Sequence, residues 1–301
     1  MTVIQKGDDH KCGFVAIIGA PNAGKSTLLN RMVGQKIAIT SPKPQTTRNR
    51  ILGILTRPRS QLVFIDTPGM HTTEKKFNAR IVEVAISALD DVDQTLWVVD
   101  AAAPDSNTDQ FIARHLGQKQ YPLVLALNKI DRVEKPKLLS LIATWQKRFS
   151  FKAIVPISAK TGEQVDELVS VLESQLPNGP ALYPEDHLTD MPERFIAAEM
   201  IREKVFRYTG QEIPYSVAVT IETFTDRPQK KVVHIDATIH VERSSQKMIV
   251  IGKKGAKLKE IGQKARLEIE KMLGVKVFLN LFVRVEKKWS RDAKALRKLG
   301  Y

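Results

Sequence analysis

Between a short apolar run, Phe14–Ile18, and a helical pattern, Ser26–Val33, the chain carries Gly19-Ala20-Pro21-Asn22-Ala23-Gly24-Lys25-Ser26. Few eight-residue segments narrow the choice of fold as far. The spacing is G-x-x-x-x-G-K-[ST], and a strand before it with a helix after it is the context that this spacing requires. Glycine adopts backbone conformations that other residues avoid, so successive N–H groups can turn toward one phosphate. The helix start adds positive potential at the same point. Lys25 supplies a mobile point charge for the outer phosphates, and Ser26 a hydroxyl for Mg2+. Gly19, Pro21, Asn22, Ala23, Gly24, Lys25, Ser26 and Thr27 are the expected nucleotide contacts of this loop, with Lys25 also expected in catalysis.

The residues that follow repeat the strand–helix alternation. Apolar strands are predicted at Gln61–Ile65, Thr95–Val99, Leu123–Leu127 and Ala153–Ile157. Helical patterns lie at Phe77–Leu89, Asp109–Leu116, Leu138–Phe149 and Val165–Leu176. Near-continuous apolar strands alternating with helices predict an α/β unit with a parallel-type sheet covered on both faces. Pro177, Asn178, Gly179, Pro180, Pro184 and Pro192 then punctuate a stretch without periodicity, read as a linker. After it come a helical pattern at Arg194–Tyr208 and alternating strands around Val217–Ile221, Val233–Val241 and Val277–Val285. An apolar helical face, Leu258, Ile261, Ala265, Ile269 and Met272, precedes the last strand. That order predicts a small α+β domain. The expected divisions are 1–180, a linker at 181–192, and 193–301.

Charge separates the two parts. The chain has 301 residues, 47 Lys and Arg against 33 Asp and Glu, and a net charge of +14. Residues 245–301 hold 16 basic and 5 acidic side chains, whereas 1–190 and 191–244 are nearly balanced. A basic segment of this kind is the electrostatic footprint expected for phosphate backbones. The single cysteine, Cys12, excludes an internal disulfide framework and fits a reducing compartment. The six histidines show no metal-ligand spacing. No apolar run is long enough for a membrane span, and the polar Met1–Lys11 does not read as a secretory signal. A cytoplasmic protein is expected.

Three further segments resemble the base- and phosphate-reading elements of the translation-factor-like GTPases. Asp66-Thr67-Pro68-Gly69 is similar to D-x-x-G, Asn128-Lys129-Ile130-Asp131 to N-K-x-D, and Ser158-Ala159-Lys160 to S-A-K. Each ends a predicted strand, where open α/β sheets bind ligands. The resemblance implies that Asp66 holds Mg2+, that Gly69 N–H bonds the γ-phosphate, and that Asp131 accepts from N1–H and the 2-amino group of guanine. It also places Asn128 on the base edge, the Lys129 stem over the ring, and a backbone N–H of Ser158-Ala159-Lys160 on O6. GTP, GDP and Mg2+ are the implied ligands. A turn-rich loop, Ser41 to Arg48, is expected to supply a Mg2+ ligand from Thr47, with Thr46 as the alternative. Thr47 and Gly69 join Lys25 as the expected catalytic group. Met70 stands where regulatory GTPases carry the glutamine that orients water. A thioether is too weak an acceptor for that task, so slow intrinsic hydrolysis is expected.

In the basic segment, Ile249-Val250-Ile251-Gly252-Lys253-Lys254-Gly255-Ala256-Lys257 resembles the V-I-G-x-x-G signature of type II KH domains. The implied RNA contacts are Ile251, Gly252, Lys253, Lys254, Gly255 and Lys257. One GTPase domain joined to a C-terminal KH domain at this length resembles the Era family. Gln45-Thr46-Thr47-Arg48 and the segment Ala295-Leu296-Arg297-Lys298-Leu299-Gly300 fit that family too. The resemblance implies a bacterial assembly GTPase, monomeric, that binds the 3′ end of small-subunit ribosomal RNA and the small subunit in its GTP state. RNA-modifying GTPases of the tRNA class carry a C-terminal Cys motif, absent here, and tandem-GTPase factors carry a second phosphate loop, also absent. Trp289, Ala293 and Leu296 share one face of a basic helix. That face either packs on the KH domain or anchors weakly at the inner membrane.

Overall fold

The computed structural model describes residues 9–40, 50–66, 92–104, 106–116, 122–210, 213, 217–227, 231–289 and 292–299. The expected helix at Phe77–Leu89 lies outside them. The chain forms two compact units, Met1–Ala38 with Pro44–Asp190, and Ile39–Lys43 with Met191–Tyr301.

In the first unit the apolar runs become strands β1 (Lys11–Ile18), β2 (Ile51–Arg57), β3 (Ser60–Asp66), β4 (Gln94–Asp100), β5 (Leu123–Asn128) and β6 (Ala153–Ile157). They form one sheet in the order β2-β3-β1-β4-β5-β6, parallel except for β2 against β3. The alternation predicted the five parallel strands; β2 is an addition. It forms an antiparallel hairpin with β3 across Pro58 and Arg59. Gly53 interrupts its apolar pattern for a packing reason: a Cβ there would lie 2.4 Å from Leu29 Cδ1. Among the described residues, helices α1 (Lys25–Val33), α2 (Ser106–Leu116), α3 (Lys135–Arg148) and α4 (Val165–Ser174) belong to the same unit. One core cluster gathers Trp97, Trp145, Leu125 and Leu127 with Phe149 and Phe151 packed beside it. Trp97 meets Trp145 edge-on, with ring centroids 5.0 Å apart, the arrangement that aromatic quadrupoles favour.

The stretch expected to be a linker is tied to this unit as far as Asp190. Gln61, fully buried on β3, accepts from Leu182 N (2.8 Å) and Tyr183 N (2.9 Å) and donates to Tyr183 O (2.9 Å). Ile54 N donates to Leu188 O at 2.8 Å. Proline and glycine here shape a backbone that lies along the sheet edge, where a polar core side chain satisfies it.

The second unit runs α5 (Glu193–Tyr208), β7 (Val217–Arg227), β8 (Val232–Val241), α6 (Ser244–Ile251), α7 (Ala256–Leu273), β9 (Lys276–Val285) and α8 (Ala293–Lys298). The sheet order is β7-β8-β9, antiparallel then parallel. Parallel strands need a crossover, and α6 with α7 supplies it. Ile235, Ala237 and Ile239 on β8 are buried with Ile201 and Val205 of α5 and Ile261, Ala265 and Ile269 of α7. Lys204 of α5 pairs with Glu268 of α7, and Arg202 grips Glu199 through two hydrogen bonds of 2.7 and 2.5 Å. Trp289 and Leu299 pack on Ala218 of β7, with Leu296 beside them. Trp289 is only 2% exposed and precedes α8, so it does not share a helical face with Leu296 as expected; the two meet instead by packing on β7. The Ala293 side chain lies outside the described ones. Among the described residues no helix is long and apolar enough to cross a membrane.

Candidate functional site

The expected phosphate loop joins β1 to α1, and backbone geometry explains its glycines. Gly19 has φ 149°, and a Cβ there would lie 2.2 Å from Val98 O. Gly24 has φ 101°, and its Cβ would lie 2.2 Å from Asn128 Nδ2. Asn22 also has positive φ, a conformation that asparagine tolerates better than most residues. Ala23 N donates to Ala20 O at 3.3 Å, closing the turn that holds Pro21. Lys25, 6% exposed, donates to Gly19 O and Ala20 O, both at 3.0 Å. Its ammonium thus lies folded against the loop that it is expected to serve. Burial pushes its pKa down to about 8, and the Asp66 carboxylate partly offsets that.

Ser26 Oγ donates to Asp66 Oδ2 at 2.8 Å. Asp66 ends β3 and is fully buried, while Ser26 sits in the first turn of α1. Adjacent parallel strands bring these two oxygens together across 40 positions of sequence. A hydroxyl and a carboxylate are hard oxygen donors suited to Mg2+ with phosphate and water as the remaining ligands. Among the described residues no group of three or more His, Cys, Asp or Glu could hold a metal by itself. Thr46, Thr47, Thr67, Pro68, Gly69 and Met70 lie outside the described residues.

The base-reading segments converge at the C-terminal ends of β5 and β6. Asn128, 2% exposed, donates to Ala23 O at 2.7 Å and accepts from Lys129 N at 2.8 Å and Ala159 N at 2.9 Å. One side chain thereby joins the phosphate loop to both base loops. Lys129 has φ 69°, and its Nζ is paired with Asp100 Oδ2 at 2.5 Å. Asp100 also accepts from Ala102 N and Ala103 N, which fixes its carboxylate at the end of β4. Asp131 sits in a single 3-10 turn, Ile130–Arg132, and accepts from Ser158 Oγ at 2.6 Å. A cleft of about 370 Å3 opens between Gly24, Thr27, Asn128, Lys129, Asp131, Ala159 and Lys160. That volume lies within the range of small-molecule sites.

Sequence reading missed Asp100 and Arg31. Arg31 Nη2 donates to Lys160 O at 2.5 Å and its Nε to Ala159 O at 3.3 Å. No local pattern marks either role, because Lys129 and the carbonyls of Ala159 and Lys160 lie far along the chain.

In the second unit Gly252-Lys253-Lys254-Gly255 forms a tight turn between α6 and α7. Gly252 has φ 70°, and a Cβ there would lie 2.6 Å from Lys257 Cβ. Gly255 has φ 78° and begins α7. Lys254 is itself held at φ 50°. Lys253 and Lys254 are exposed, and Lys257 and Ile251 are half-buried beside them. Met248, one turn back on α6, is 68% exposed. Cations at the tip and an apolar shoulder behind suit a strand presenting phosphates outward and bases inward.

Known proteins share this organisation. The profile of a family described as 50S ribosome-binding GTPase matches residues 14–129, and that of the KH domain matches residues 212–290. GTPase Era of Geobacter metallireducens is 55% identical over 97% of this chain and 98% of its own length. GTPase Era of Geotalea uraniireducens is 54% identical over the same shares. Two solved structures are 40% identical and cover 97% of this chain and 99% of their own. One, with TM-score 0.91, is a variant of Aquifex aeolicus Era bound to GDP·AlF4−. The other, with TM-score 0.92, is Era in complex with MgGDPNP and nucleotides 1506–1542 of 16S ribosomal RNA. Sharing more than half of its residues with such relatives along nearly its whole length, this chain belongs to the Era family of GTPases.

Proposed function

We propose that this chain hydrolyses GTP to GDP and phosphate and, in its GTP state, binds the 3′ end of small-subunit ribosomal RNA during assembly of the small subunit. One observation carries the reading: the same chain holds a cleft lined by Asn128, Lys129 and Asp131 and a glycine–lysine turn with exposed Lys253 and Lys254. The solved relative that holds both MgGDPNP and a 16S fragment supports the pairing of those two ligands.

Each side chain has a task. The backbone N–H groups of Asn22 to Thr27 and the Lys25 ammonium neutralise the phosphates. Ser26 and Asp66, with Thr47 or Thr46 from the switch loop, would hold Mg2+, which would supply positive charge against the phosphates. Gly69 N–H senses the γ-phosphate. Asp131 accepts from the guanine N1–H and 2-amino group, a donor pair that adenine lacks, while Lys129 covers the ring and the 158–160 loop meets O6. Water adds to the γ-phosphorus and gives up a proton to the phosphate oxygens or solvent, the bond to the β–γ bridging oxygen breaks, and GDP departs with that electron pair. With Met70 in the glutamine position the intrinsic rate is slow, since positioned water is what that glutamine supplies.

On the RNA side, Lys253, Lys254 and Lys257 meet phosphates at a turn whose glycines permit close approach. Ile251 and its apolar neighbours accept unpaired bases. The decisive test replaces both exposed lysines, Lys253→Glu with Lys254→Glu. RNA affinity should be lost at fixed salt while GTP affinity stays at the wild-type value. Undiminished RNA binding would remove the turn from the interface.

A further inference from the structure

We infer that Arg31 is a specificity-positioning residue: from the last turn of the phosphate-loop helix it orients the peptide that reads guanine O6. The inference rests on the guanine reading of the 158–160 loop. Arg31 lies two turns beyond Lys25 on α1, and its guanidinium donates to the carbonyls of Ala159 and Lys160, 128 and 129 positions away. In a trans peptide the C=O and N–H of one plane point in opposite directions. Holding Ala159 O against α1 therefore turns Lys160 N–H away from α1. Lys160 lines the cleft together with Asn128 and Asp131, and that side of its peptide is the one offered to the base. The neighbouring donor, Ala159 N–H, is already engaged by Asn128 Oδ1 at 2.9 Å. Thr161 N–H is likewise engaged by Ser158 Oγ at 3.2 Å.

The chemistry at this point explains why an arginine fits. The guanidinium is planar and always charged, so it can hold two carbonyls of successive residues at once. Gly162, at φ 95°, passes close beside it, where a Cβ would lie 3.5 Å from Arg31 Nη1. One helix thus meets the phosphates through its first turn and sets the O6 reader through its last.

Arg31 touches no ligand in this scheme, so the test must separate orientation of one donor from general loosening. Dissociation constants would be measured for GDP, IDP and 2-aminopurine riboside diphosphate, at fixed salt and Mg2+, on the full-length chain. IDP lacks the 2-amino group that Asp131 reads; the 2-aminopurine nucleotide lacks O6 and also the N1–H that Asp131 reads, a loss common to wild type and variant, so the change in its preference on replacing Arg31 isolates the O6 contact. Wild-type protein should prefer GDP over both. In Arg31→Ala, GDP affinity should fall about tenfold, near the net worth of one hydrogen bond. Preference for GDP over the 2-aminopurine nucleotide should shrink by about the same factor, while preference over IDP persists. Arg31→Lys, with one donor centre, should fall between and should melt with the wild type. Wild-type preferences in both variants, or an equal loss of both preferences, would overturn the role. Wild-type protein that ignores O6 would overturn the guanine reading itself, and the role of Arg31 with it.

Discussion

Ser158 Oγ donates to Asp131 Oδ1 at 2.6 Å and so fixes the orientation of the carboxylate proposed to read the base. Ser158 is fully buried at the end of β6, and Asp131 follows β5, its parallel neighbour. Removing the hydroxyl in Ser158→Ala should weaken GDP binding about tenfold, the net value of a hydrogen bond to a charged group. Asp131→Asn should go further and move preference from guanine to xanthine nucleotides. Competition between GDP and XDP on both variants reads the two effects.

Lys25 gives the nucleotide site a pH dependence of definite sign. Its pKa is lowered to about 8 by burial. Phosphate stabilises the charged form and raises that value, so binding takes up a proton wherever free Lys25 is partly neutral. Affinity for GDP should hold below pH about 8 and decline above it, by at most about tenfold per pH unit. Titration calorimetry at pH 8.5 in buffers of different ionisation enthalpy should show proton uptake, and at pH 6.5 none from this group.

Gly24 is under two constraints, a φ of 101° and the Asn128 amide 2.2 Å from any added Cβ. Gly24→Ala should strain the loop by roughly 1–3 kcal/mol and displace Asn128 from Ala23, Lys129 and Ala159 together. Loss of GDP affinity should therefore exceed that of Ser158→Ala. Equilibrium binding compares the two directly.

Trp289 tests the packing of the C-terminal segment. Buried on Ala218 with Leu299, it should cost about 3 kcal/mol when truncated to alanine, at the lower end for large aromatic deletions. The GTP-binding unit has its own core, so GDP affinity should not change. Urea unfolding alongside GDP binding checks both statements.

The parts legible in the sequence were those whose backbone demands are written locally. The phosphate loop needs its glycines, and the structure places both at positive φ against neighbouring backbone or side-chain atoms. Asn128, Lys129 and Asp131 are adjacent in sequence, as are Gly252 and Gly255 with their lysines. Strand β2 was less visible because Gly53, required by Leu29, breaks its apolar run. Gln61 reads as one more strand residue, yet it fastens the proline-rich stretch that reads as a linker. Arg31 and Asp100 resemble any surface charge until the fold brings Ala159 and Lys129 to them. Long-range partners leave no periodicity to read.

GTP control of RNA binding is tested most directly by one titration. A labelled strand copying the 3′ end of small-subunit ribosomal RNA is bound to the full-length chain at fixed salt, first with a non-hydrolysable GTP analogue and then with GDP. Coupling between sites of roughly 1–3 kcal/mol predicts RNA binding about 5–150-fold tighter with the analogue, and by reciprocity GTP binding tighter with RNA. Equal affinity in the two nucleotide states would contradict the switch.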